Sequence, residues 1–136
     1  MSDQLPPRLS LLRWILGLGI LSTGIHYTHN FVAVDRYPAG AISDEAVQVA
    51  ILVSWPLLTG IGLYGYRLYA QGRFGPARGC LAGYSVLGLT TLGHFLQGVP
   101  QVAPVFFATI FTDFLTGAAV LAFALRSPPA LGIGRS

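Results

Sequence analysis

The sequence predicts an all-α integral membrane bundle of four transmembrane helices, and three observations point to it. Apolar residues make up 53% of the 136 residues and charged ones 10%, with a mean hydropathy of +0.62; an ordinary soluble domain carries about 25% charged residues. Four long apolar runs follow one another, and at roughly 20 residues per crossing the chain accommodates four spans with short connections as a single domain. Within each run the small and polar residues recur at helical spacing.

The opening segment MSDQLPPRLS is polar, and Pro6-Pro7 resists helix formation. Span one is expected over 11–34, with Arg13 snorkelling to the headgroups and Trp14 at the same interfacial level. Arg8 and Arg13 ahead of an apolar core, with Ser22-Thr23-Gly24 beyond it, also fit a cleaved secretory signal. The apolar run continues past that point into His26-Tyr27-Thr28-His29-Asn30, which favours a retained span.

Residues 35–40 read as a turn, and Ser43-Asp44-Glu45 supplies an N-cap with acids in the first turn of span two, expected over 45–69. Pro56 lies inside it and predicts a kink near Leu52 to Pro56. The stretch 71–78 is rich in turn formers and reads as a loop; span three is expected over 79–97. Gly98 to Gln101 is a tight connection, span four covers 102–125, and the tail 126–136 is expected to fray.

Arginines set the orientation. Arg8, Arg13, Arg67, Arg73, Arg78, Arg126 and Arg135 fall on one side of such a chain and Arg36 on the other, so both termini are expected to be cytoplasmic in a multi-pass protein of the cell membrane. The eight arginines are scattered over several connections, which argues against a nucleic-acid surface. The single cysteine, Cys80, cannot form a disulfide within the chain.

Histidine, asparagine and aspartate are costly at membrane depth unless turned inward. With a rise of about 1.5 Å per residue, His26 lies roughly 12 Å and His94 about 5 Å below the outer ends of their spans, and Asp113 about 16 Å below that of span four. These residues, with His29, Asn30, Trp55 and Thr112, are expected to line an outward-facing pocket.

Several chemistries use the same side chains. His26 and His29, three apart on span one, with His94 and Asp113 form a nitrogen and oxygen set suited to a transition metal. His26 and His94 as opposed axial ligands would instead hold haem b, with Gly19, Gly83 and Gly88 giving the porphyrin room, and a quinone is a third candidate for a redox role. The plainer reading is hydrogen-bonding glue between helices, with the chain as a structural or accessory subunit of a homo-oligomer or larger membrane complex. A proton-coupled or small-solute transporter is the remaining reading, although the halves of the chain share no repeat. Neither a His-Glu-x-x-His motif nor paired Glu-x-x-His motifs occur, nor a glycine-rich phosphate loop.

Overall fold

The structure is a computed structural model that describes residue 6 and residues 8–127; most of the N-terminal segment and the tail 128–136, including Arg135, lie outside the described residues. Helix α1 spans Leu9–Val32 and is followed by a 3-10 turn, Val34–Arg36. Helix α2 spans Asp44–Ala70, with the Ser43 hydroxyl accepting from the Ala46 N–H at 3.3 Å as its cap. It continues as one helix through Pro56. Helix α3, Phe74–Leu89, passes through a 3-10 segment, Thr90–Gly93, into the short α4, His94–Gln97, and α5 spans Pro104–Arg126. Four helical segments are long and apolar enough to cross a membrane, and no strand occurs among the described residues.

Helix ends fall within two residues of the sequence reading except at the start of span three, and span three carries a break. The expected loop 71–78 shrinks to Gln71–Arg73, because Gly75-Pro76 falls in the first turn of α3. There a proline is tolerated, since the missing N–H has no acceptor in a first turn. Gly72, at φ +73°, makes the reversal. The 3-10 break before His94 carries no periodicity signal and was not expected; Thr91 steadies it by donating toward Gly88 O at 2.6 Å and Ile110 O at 3.0 Å.

The helices form a square bundle in which α1 packs on α2 and α5, and α3 packs on α2 and α5. Short connections make successive spans antiparallel. Toward the termini the interior is apolar, built from Leu12, Leu16, Leu68, Leu81, Tyr84 and Val120. Toward the end that carries the 33–43 and 98–103 connections it becomes polar, with His26, Asn30, Thr91 and Asp113 all buried. The two connections are tied by Gln101 N–H donating to Arg36 O at 3.0 Å. Outside, Trp14, Leu21, Val32 and Leu115 stand exposed, as expected of a bundle whose solvent is hydrocarbon.

Glycine sets the closest crossing. Gly117 of α5 lies against Gly88 of α3, where a Cβ would come within 3.0 Å of Gly88 Cα and of Ser85 O. A Cβ on Gly88 would collide with the Asp113 carbonyl oxygen, so the height of Asp113 in the bundle is fixed by this contact.

Candidate functional site

Asp113 and His26 meet in the middle of the bundle, with Nδ1 to Oδ2 at 2.6 Å and the two side chains 0% and 1% exposed. Their meeting follows from helix direction. Side chains lean toward the N-terminus of their helix, and α1 and α5 run oppositely. His26 therefore leans toward the termini end and Asp113 toward the connection end, which closes the few ångströms that separate their backbones in depth. The other carboxylate oxygen, Oδ1, accepts from the Ser22 hydroxyl, which also bonds Thr112 Oγ1 at 2.7 Å. Ser22 and Thr112 stand beside the pair and complete its hydrogen bonding.

The far side of the imidazole is different. His26 Nε2 is buried and has no hydrogen-bond partner, and one turn further along α1 the buried Asn30 Oδ1 has none either. Around the imidazole stand Tyr27, Tyr37 and His94, with ring centroids 5.4, 5.7 and 5.2 Å from His26. Tyr37 also packs against His94 at 5.2 Å and exchanges a hydrogen bond with His29 Nδ1 at 2.8 Å. Burial, with the Asp113 charge adding to it, pushes the Tyr37 phenol up to about 12, so it stays a neutral donor.

The expected metal set of His26, His29, His94 and Asp113 is not assembled. Among the described residues no three His, Cys, Asp or Glu side chains come together to hold an ion. The physical reason is that both Asp113 oxygens are already engaged, while His29 turns away from the seam to bond Tyr37 and stack on Phe106 at 3.6 Å. Residues three apart on a helix differ by about 60° in direction, and here the two histidines meet Tyr37 differently, His26 tilted at 31° and His29 edge-on at 69°.

Nor do the residues frame a haem. His26 and His94 are adjacent rings with Tyr37 against both, which leaves no slot for a macrocycle between them. The glycines expected to make room serve helix packing instead: Gly19 faces the Tyr84 hydroxyl, Gly83 faces Ile61, and Gly88 the α5 backbone.

Trp55 stands outside the polar seam. Its indole N–H donates to Thr23 Oγ1 at 3.2 Å and its ring lies over Gly24, wedged between α1 and α2. Beside it an apolar cleft of about 390 Å³ opens between these helices, walled by Tyr27, Thr28, Phe31, Ile51, Trp55 and Pro56. Tyr27, whose hydroxyl donates to Leu87 O at 3.0 Å, lines the cleft and has its ring centroid 5.4 Å from that of His26.

The structure brings His26, His94, Asn30, Asp113 and Thr112 to one centre and places His29 and Trp55 at its margin. Tyr37 and Ser22 complete it without having been singled out as site residues. Ser22 lies on the same helical stripe as His26, a usable signal; Tyr37 sits in a connection read only as a turn, where nothing local marks it. No family model, curated protein or solved structure matches the chain.

Proposed function

We propose that this chain is a four-span protein of the cell membrane with both termini cytoplasmic, and that its His26–Asp113 couple binds a small carbonyl or hydroxyl ligand of the quinone class. The observation that carries the reading is the unpartnered Nε2 of a buried histidine whose other nitrogen is fixed by a carboxylate. Such an orphan costs about 1–3 kcal/mol unless something fills it. Asp113 accepting from Nδ1–H selects the tautomer with a lone pair on Nε2, which accepts from a hydroxyl; protonated, the same nitrogen donates to a carbonyl. A couple of this kind suits a ligand that changes between those two forms and gains or loses a proton as it does so.

The 390 Å³ cleft beside Trp55 supplies an apolar approach from the bilayer, and Tyr27, which lines it, has its ring centroid 5.4 Å from that of His26. Occupation should therefore be visible in Trp55 emission. In a Trp14→Phe background, titrating a short-chain benzoquinone into detergent-solubilised protein is expected to give saturable quenching that weakens at least tenfold in affinity on His26→Ala and little on His29→Ala. Linear, unsaturable quenching, or equal affinity in the His26 variant, would sink the reading.

Orientation has its own check. In a Cys80→Ala background, a membrane-impermeant thiol reagent applied to intact cells should label Ile42→Cys and leave Gln71→Cys unlabelled; the reverse pattern would place the connection end of the bundle in the cytoplasm. Both positions are exposed, so neither change disturbs packing.

A second reading, an accessory subunit, is favoured by Gly60 of α2 and Gly79 of α3, which face outward with nothing within 4 Å of a built Cβ. They offer flat surfaces to a neighbouring transmembrane helix.

A further inference from the structure

At the termini end of the bundle, away from the His26–Asp113 couple, the geometry points to a binding site for one anionic diacyl phospholipid, with its phosphate on Arg13 and its two acyl chains in the grooves that diverge from that residue. Arg13 is exposed on the second turn of α1. Its Nε donates to the Tyr66 hydroxyl of α2 at 3.2 Å, which aims the guanidinium, and the terminal nitrogens make no hydrogen bond or ion pair among the described residues. A planar fork held at its base, with its outer donors free, is suited to bidentate contact with a phosphodiester.

Two apolar grooves begin at this arginine. One, of about 260 Å³, runs between α1 and α2 past Leu16, Ile20 and Leu63. The other, of about 310 Å³, runs over the outer face of α1 past Trp14, Leu18 and Leu21. Both include Gly17, where a Cβ would meet nothing within 4 Å, so the ridge between them is low. From Arg13 to Ile20 or Leu21 is about 10–12 Å along the helix, enough to seat the upper part of an acyl chain.

Charge selects the headgroup. The carboxylates among the described residues are Asp35, Asp44 and Glu45 at the connection end and the engaged Asp113, while Arg8, Arg67, Arg73, Arg78 and Arg126 share Arg13's end. A second copy of the chain therefore offers no described carboxylate at this level to neutralise Arg13. A soluble anion, for its part, would leave both grooves unused.

The test is native mass spectrometry of the full chain released from detergent containing equimolar phosphatidylglycerol and phosphatidylcholine of identical acyl chains. Phosphatidylglycerol should be retained about 5-fold more, the effect of one arginine near a membrane surface. Arg13→Gln should bring the ratio to parity, while Arg67→Gln at the same end leaves it unchanged. Gly17→Leu, which raises the ridge, should lower retention of phosphatidylglycerol and spare its single-chain lyso form. Three outcomes would overturn the assignment: equal retention of the two lipids by the wild type, a preference that survives Arg13→Gln, or displacement of phosphatidylglycerol by millimolar inorganic phosphate. The wild-type comparisons need no variant and decide the matter even where a substitution unfolds the chain.

Discussion

Asp113→Ala is expected to lower the stability of the bundle by about 3 kcal/mol, at the upper end of the cost of leaving buried polar groups without their partner. Two magnitudes compete here. Hydrogen bonds between membrane helices average only about 0.6 kcal/mol, because a helix that loses one partner finds another. That escape is closed at Asp113, which is 0% exposed and lies where Gly88 presses on its backbone. Truncation leaves His26 Nδ1 and the Ser22 hydroxyl without their shared acceptor and opens a void between α1 and α5. Asp113→Asn keeps the volume and one acceptor oxygen, so its loss should be nearer 1 kcal/mol. Unfolding in sodium dodecyl sulfate, followed by tryptophan emission, separates the two. Equal and small losses for both variants would reduce the pair to ordinary helix glue.

That Asp113 needs a partner, with a histidine as the candidate, was legible because a carboxylate is expensive in hydrocarbon and no arginine reaches its depth. Which histidine Asp113 meets was not legible, since span one offers both His26 and His29 and span three offers His94. The direction of His29 was not legible, since it depends on Tyr37, whose position is set by a 3-10 turn and by the tie between Gln101 and Arg36. A connection of a few residues gives no periodic signal from which to place a ring. The break before His94 leaves no signal for the same reason: Thr90-Thr91-Leu92-Gly93 reads as a continuation of span three, and the contact of Thr91 with the α5 backbone distinguishes it. Glycines were visible as close-approach positions, but the sequence could not say whether a helix or a cofactor approached. Packing decided for helices at Gly19, Gly62, Gly65 and Gly88.

Those glycines give the sharpest contrast in the molecule. Gly88→Ala should destabilise the bundle by about 1–3 kcal/mol through overpacking, since the added methyl has the Asp113 carbonyl oxygen and Gly117 Cα in its way. Neither obstacle is the end of a flexible side chain, so relief requires α3 to move away from α5. Gly60→Ala puts the same methyl into open space on the outer face of α2 and should be neutral or stabilising by up to about 1 kcal/mol, the usual gain of alanine over glycine inside a helix. The inner substitution should also weaken quinone-dependent quenching of Trp55, although Gly88 touches neither the cleft nor His26. Moving α5 carries Asp113 with it and lengthens the 2.6 Å bond that holds the imidazole. A stability loss at Gly88 with unchanged quenching would mean that ligand binding does not depend on the couple, and would count against the site more directly than any loss of stability alone.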